Sequence, residues 1–286
     1  RKGWSAELSR QFSRAAVSVG AANSRESDYV STGGSVNTLT EFNQKNTTLL
    51  LGAGATHDKI KVFYQREWAK KRTADFIAGI TQLLDPRTSV TFNIGYGHSS
   101  GYHNDPYRLI FKNTEIAPGI FLPRTFSENR PESRDKWTAF ASVNRAYPQA
   151  RGAAEASYRL FHDSFGTTAH TVEVAWFQKL GERFTVRPAL RIYEQDAADF
   201  YRLNLNGTAI TPEDRPNPRG PFFSADYRLS AFRSFTVGLK AVWAVSEAWQ
   251  LDAAVEHYEM RGKDDATSPA VYPQAAIVTL GARFAW

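Results

Sequence analysis

The sequence predicts an all-β chain, a transmembrane antiparallel β-barrel, on three observations. Apolar residues recur at every second position, the alternating runs last about 10 to 14 residues, and the connections between them alternate between tight and long. The first sets an apolar and a polar row on opposite faces of each strand. The second exceeds the ~5 or 6 residues usual in a soluble strand and suits a tilted strand crossing a bilayer. The third is the pattern of bacterial barrels, with short periplasmic turns and long extracellular loops.

In chain order, strands are expected near 3–11, 13–23, 29–42, 47–56, 73–84, 88–98, 136–147, 152–162, 168–180, 183–196, 234–245, 249–260 and 275–286. Val90, Phe92, Ile94 and Tyr96 oppose Thr91, Asn93, Gly95 and Gly97. Ala154, Ala156, Tyr158 and Leu160 oppose Glu155, Ser157 and Arg159. Phe184, Val186, Pro188, Leu190 and Ile192 alternate with Thr185, Arg187, Ala189, Arg191 and Tyr193. Val237, Leu239, Ala241, Trp243 and Val245 oppose Thr236, Gly238 and Lys240, and Trp249, Leu251, Ala253 and Val255 oppose Gln250, Asp252, Ala254 and Glu256. The last strand carries Ala276, Val278, Leu280, Ala282, Phe284 and Trp286 as one apolar stripe. Its aromatic ending, Phe284 and Trp286, resembles the signal by which the outer-membrane assembly machinery recognises its clients.

Asn43 to Asn46, Asp85 to Arg87, Pro148 to Arg151, Gly181-Glu182 and Ser246 to Ala248 are the tight connections. The long ones cover about 57–72, 99–135, 196–233 and 261–274. Thirteen strands is an odd number, whereas bacterial barrels are even-stranded, so one or three further N-terminal strands are expected, for about 14 or 16 in a single barrel domain. Residues 222–231 are the alternative position for a hairpin standing on the extracellular side.

Composition agrees with this architecture. The 286 residues are 42% hydrophobic with a mean hydropathy of −0.44, and the densest apolar run, Leu49-Leu50-Leu51, is broken at Gly52. A membrane helix needs roughly 18 to 20 such residues, whereas a barrel strand needs one apolar residue in two. The absence of cysteine removes disulfides, thiolate metal sites, iron–sulfur ligation and covalent haem, and no cofactor is expected. A formal charge of +6, without a dense Lys/Arg block interleaved with aromatics, gives no sign of a nucleic-acid partner.

Several phrases are shared with a known family: Asp28-Tyr29-Val30-Ser31, Glu41-Phe42-Asn43-Gln44-Lys45-Asn46-Thr47-Thr48-Leu49, Gly95-Tyr96-Gly97-His98-Ser99-Ser100-Gly101-Tyr102 and Asp105-Pro106-Tyr107. Asn129-Arg130-Pro131-Glu132-Ser133-Arg134-Asp135, Gln195-Asp196-Ala197-Ala198-Asp199-Phe200-Tyr201 and Ser224-Ala225-Asp226-Tyr227-Arg228-Leu229-Ser230 follow in the same order. Together the phrases resemble the proteobacterial outer-membrane family known as domain of unknown function 3570; Glu41, where an aspartate is expected, is a departure. The resemblance implies a barrel in the bacterial outer membrane and brings no activity.

An Arg facing lipid near the midplane costs roughly 2 to 4 kcal/mol, so Arg187 and Arg191 are assigned to the lumen and the register follows. Asp75, Glu155, Glu173, Asp252 and Glu256 then line it with Arg159, Arg187, Arg191, Lys240 and Arg283, five acids against five bases. That balance points to weak ion selectivity or a lumen knitted by ion pairs. In the long loops, Asp105, Tyr107, Arg130, Arg134 and Asp135, and Asp199, Tyr201, Asp226 and Arg228 beside Phe222 and Phe223, are expected to fix a constriction or bind a ligand. The loop at 57–72 holds Lys59, Lys61, Arg66, Lys70, Lys71 and Arg72 against Asp58 and Glu67, which suits lipopolysaccharide phosphate. Trp4, Trp137, Trp176, Trp243, Trp249 and Trp286 are expected near strand ends as girdle residues.

An enzymatic reading has little support. His98-Ser99-Ser100 lies along a strand, where neighbours face opposite ways, and His57-Asp58, His103 with Asp105, and His162-Asp163 lack the converging ligands of a zinc site. Three readings stand: a channel or transporter for a small polar solute; a scaffold that sheathes a partner such as a lipoprotein, an electron-transfer component or an export component; and, least favoured, an enzyme.

Overall fold

The computed structural model describes residues 1–213 and 215–285. Thirteen strands form one antiparallel sheet: β1 (Lys2–Gln11), β2 (Ala15–Arg25), β3 (Tyr29–Phe42), β4 (Thr47–Ile60), β5 (Ala69–Asp85), β6 (Thr88–Gly101), β9 (Ser133–Tyr147), β10 (Gly152–Asp163), β11 (Thr168–Leu180), β12 (Phe184–Gln195), β13 (Phe232–Ala244), β14 (Trp249–Gly262) and β15 (Gln274–Phe284). Each pairs with its sequence neighbour, except that β6 pairs with β9. Between them β7 (Leu109–Ala117) and β8 (Ile120–Ser127) form a separate hairpin. These are the thirteen expected wall strands, and the additional hairpin falls at 109–127. Residues 222–231 form no hairpin; they contribute isolated bridges from Phe223 and Ser224 and a 3-10 turn at Tyr227–Leu229.

The wall strands are longer than expected at the long-loop end. β4 continues to Ile60 and β5 begins at Ala69, so Lys59, Lys70, Lys71 and Arg72 belong to strands and not to a loop. Backbone ladders satisfy their own donors and acceptors, and pairing therefore continues past the apolar band. At the opposite end the tight turns use left-handed backbone, as at Arg151 (φ 50°) and Gly181 (φ 62°).

Directly paired residues of an antiparallel ladder share a face. The register sets Arg187 beside Lys240, Glu173 beside Arg191, Arg159 beside Phe140 and Arg283 beside Gln250. Tyr227 and Tyr272, from the connections after β12 and β14, pack on Tyr193, Phe232, Tyr258 and Met260 of this same face, which is therefore the one the loops fold over. The opposite face is exposed and apolar, with Leu8, Phe76, Leu239, Val255 and Leu280 among its members. Phe184 stacks on Trp243 at 5.5 Å and Trp249 contacts Phe284 at 4.8 Å near the tight-turn end; Tyr96 and Trp137 meet at 4.6 Å near the other. These are aromatic girdles of the kind that flank a lipid-facing band. Trp286 lies outside the described residues.

Candidate functional site

The inner wall is polar and several of its charges are paired across strands. Lys136 reaches Asp75 at 3.7 Å, Arg187 stands 3.9 Å from Glu155 and 3.4 Å from Glu173, and Lys240 meets Asp252 at 3.0 Å. Arg159 lies over the Phe140 ring at 5.8 Å. Small residues make room for these groups. A methyl at Gly281 would come within 2.6 Å of the Asp252 carboxylate, and one at Gly238 within 3.1 Å of Glu256. Lys136 completes this set and was not among the expected lining residues, although its alternation with Trp137 marks it as inward.

At the long-loop end the segments 102–132 and 196–231 are locked by charge. Arg130 donates to Glu128 Oε2 and to Asp226 Oδ2, both at 2.9 Å, and its Nε stands 2.7 Å from Glu128 Oε1. Arg228 donates from Nε to both Asp226 oxygens at 2.9 Å and from Nη2 to Asp105 Oδ2 at 2.5 Å. Glu128 also accepts from Ser224 Oγ at 2.6 Å and from the Asp105 backbone N–H. The result is an alternating series, Glu128–Arg130–Asp226–Arg228–Asp105, whose Glu128 and Asp226 are 1% exposed. Buried charges are tolerable when each has opposite partners and hydrogen bonds. Burial pushes Glu128 above the usual carboxylate range despite Arg130. For Asp226 burial acts the same way, but the bonds from Arg228 and the charges of Arg130 and Arg228 outweigh it and hold the group low.

Two apolar clusters support the lock. Ile110 and Phe126 of the hairpin pack with Leu205 and Phe223, while Phe165, Ala198, Phe200, Tyr201 and Leu229 form the second. Asn129 and Phe223 exchange backbone hydrogen bonds at 2.9 and 2.8 Å. Tyr201 shares a hydrogen bond of 2.6 Å with Thr267, tying in the loop between β14 and β15.

Beside the lock is a cleft of about 530 Å³ that brings together Lys71, His103, Asp105, Arg130, Arg134 and Arg228. The His103 Nδ1–H donates to the Gly101 carbonyl at 2.9 Å, leaving Nε2 to accept from Ser99 Oγ at 2.7 Å. Burial, together with the nearby positive Lys71, Arg134 and Arg130, lowers His103 to about 4, so the ring is neutral near pH 7. Ser99 is 4% exposed and its histidine partner is His103, while His98 faces the other way and bonds Asp135 at 2.8 Å. Among the described residues no group of three or more His, Asp or Glu is gathered as metal ligands would be.

Of the loop residues singled out by sequence, Asp105, Arg130, Asp226 and Arg228 meet in one network. Arg134 lines the same cleft but bonds Asp163. Asp199 and Tyr201 stand apart, holding the 196–201 segment against Gly166 and Thr267. Asp135 is a correction: it follows the inward Arg134 in β9, so it points outward, where Tyr96 donates to it at 2.7 Å. Glu128, Asp163 and Ser224 were missed. Glu128 immediately precedes the phrase beginning at Asn129, and only the three-dimensional pairing with residues about 96 positions away reveals its role.

A search of the curated proteins finds no match. Among solved structures, the siderophore receptor PirA from Pseudomonas aeruginosa aligns with a TM-score of 0.58 at 12% identity over 98% of this chain and 49% of that one. The ferric enterobactin receptor PfeA from Pseudomonas aeruginosa gives 0.54 at 13% over 97% and 48%, and CdiB from Acinetobacter baumannii 0.52 at 10% over 99% and 53%. The chain thus spans about half the length of these proteins, and what it shares with them is the outer-membrane β-barrel fold. The wall strands cross the outer membrane, with the long loops on its extracellular side. The profile of a family described as protein of unknown function, DUF3570, matches residues 1–71 and 63–280, and the chain belongs to that family.

Proposed function

We propose that this barrel is a channel or transporter for a small polar solute, and that the charged lock between its extracellular loops is the constriction through which the solute passes. The observation that carries this reading is the inner face itself: a wall with charges of both signs, several of them paired across strands, and no ring of one sign among the described residues. Such a wall can be wetted and disfavours neither anions nor cations strongly. The lock above it joins the 102–132 segment to 196–231, whose Tyr227 packs with inward Phe232 and Tyr193, and in this reading it narrows the mouth by side chains that are held in place.

The test is single-channel conductance of the full-length protein in a planar bilayer, with a reversal potential in a salt gradient. Stable steps with weak selectivity, enlarged in an Arg130→Ala/Arg228→Ala variant, are expected. Silence from verified, folded protein would overturn the channel and favour the second reading, a sheath around a partner polypeptide. Steps unchanged in the variant would remove the constriction alone.

A further inference from the structure

The outer face of β1–β5 carries a feature that neither the lumen nor the mouth uses. One cross-strand row at the extracellular end reads Lys2, Arg25, Val30, Lys59, Lys70, each residue directly paired with the next. The row below it reads Trp4, Asn23, Thr32, His57, Arg72. Three rows beyond the first, Leu8, Val19, Val36, Ala53 and Phe76 belong to the apolar band. The cations therefore sit where the lipid-facing surface turns polar. With strands ~4.8 Å apart, a row across five strands is about 19 Å wide.

Lys2, Arg25, Lys59, Lys70 and Arg72 are all exposed, and none forms an ion pair among the described residues. The nearby acids are engaged elsewhere or lie off the row: Glu26 pairs with Arg1 at 3.5 Å, Asp58 faces inward to Lys71 at 3.4 Å, and Glu67 is in the loop between β4 and β5. Like charges directly opposite each other destabilise a sheet, and Lys2 with Arg25, and Lys59 with Lys70, are such pairs. Across the molecule the same problem is solved internally. Arg233 and Arg261 also face each other, but Arg233 has Glu194 at 2.7 Å and Arg261 has Glu259 at 2.6 Å. One side of the rim neutralises its paired cations, and the other leaves Lys2, Arg25, Lys59, Lys70 and Arg72 without an acid partner among the described residues.

We infer that the outer face of β1–β5 at its extracellular end binds the phosphate groups of lipopolysaccharide in the surrounding leaflet. Ammonium and guanidinium groups form charge-assisted hydrogen bonds to phosphate, the guanidinium of Arg25 or Arg72 bidentately. Their height above the apolar band is that of a headgroup whose acyl chains lie along Leu8, Val19, Val36 and Phe76. The occupant supplies the negative charge that the chain provides for Arg233 and Arg261 and withholds here. This inference does not depend on the barrel being a channel.

The experiment titrates lipid-stripped, full-length protein in neutral detergent with lipopolysaccharide, phosphatidylglycerol micelles and inorganic phosphate in separate arms, reading affinity by thermophoresis. Lys59→Gln/Lys70→Gln is expected to weaken lipopolysaccharide binding by about fivefold for each lysine replaced, and Arg233→Gln/Arg261→Gln to leave it unchanged. Heat-modifiable migration verifies folding; should the double lysine variant not fold, Arg25→Gln takes its place with a loss of about fivefold expected. Unchanged affinity in the folded variant, an equal loss in the Arg233/Arg261 variant, or binding of phosphatidylglycerol or phosphate as tight as that of lipopolysaccharide would overturn the inference.

Discussion

Arg134 Nε donates to Asp163 Oδ2 at 2.7 Å, joining the inner face of β9 to a carboxylate at the end of β10 that has no exposed surface. The other Asp163 oxygen accepts the backbone N–H of Phe165 at 3.1 Å and of Thr167 at 3.0 Å, and the guanidinium lies over the Phe165 ring at 4.6 Å. Removing the cation leaves a buried charge without its partner, a loss of about 3 to 5 kcal/mol. Arg134→Ala is therefore expected to lower the denaturant midpoint of the detergent-solubilised barrel clearly, and Arg134→Lys to lower it less. Midpoints identical to wild type for both would show that the pair contributes nothing.

The mouth is expected to loosen in acid. His103 sits at about 4 in the folded protein, against ~6.5 for a free imidazole, so the fold favours the neutral ring. The stability this contributes is complete above pH ~6.5 and is lost as the pH falls towards about 4. Asp226, held low, stays ionised across that window, while Glu128, held high, titrates with the opposite sign. Limited proteolysis of the loops should accelerate between pH 7 and pH 4.5, and His103→Gln, neutral throughout, should flatten the dependence. A His103→Gln profile as steep as that of wild type would assign the effect to another group.

Charge reversal inside the wall should move ion selectivity. Lys240→Glu converts the pair with Asp252, 3.0 Å away, into two adjacent acids and changes the lumenal balance by two charges. The reversal potential in a salt gradient is expected to shift towards cation preference, with the single-channel step little altered. No shift would mean that ions do not pass along this stretch of wall.

Gly166 tolerates no side chain. Its φ is 85°, and a methyl there would lie 2.3 to 2.7 Å from the Asp199 carboxylate. Gly166→Ala should cost roughly 1 to 2 kcal/mol from backbone conformation alone, with more from displacing Asp199. The expected reading is faster protease cleavage within 196–201 and an intact wall by circular dichroism; unchanged cleavage would separate Asp199 from loop order.

The wall was legible because alternation obliges it. Once Arg187 and Arg191 are turned from lipid, every other strand follows from pairing, and the polar residues named for the lumen fall on one face. The same rule, applied one residue earlier in β9, would have separated inward Arg134 from outward Asp135. The hairpin at 109–127 was not recognised because its strands of nine and eight residues are shorter than a bilayer crossing, although Pro118-Gly119 stands between them as a turn signal. The mouth was only half legible. Arg130, Asp226, Arg228 and Asp105 stood out as charged loop residues, but Glu128 owes its place to contacts that join remote parts of the chain.

That remoteness has a mechanical consequence. Wall strands are fastened mostly to their sequence neighbours, whereas Arg130 and Asp226 are 96 positions apart and Arg228 and Asp105 are 123. The barrel is thus a zipper with a separate clasp: the zipper can close stepwise, but the clasp engages only after two distant segments have both reached the cell surface. Heat or denaturant should undo these parts in the reverse order, freeing the clasp while the zipper still holds.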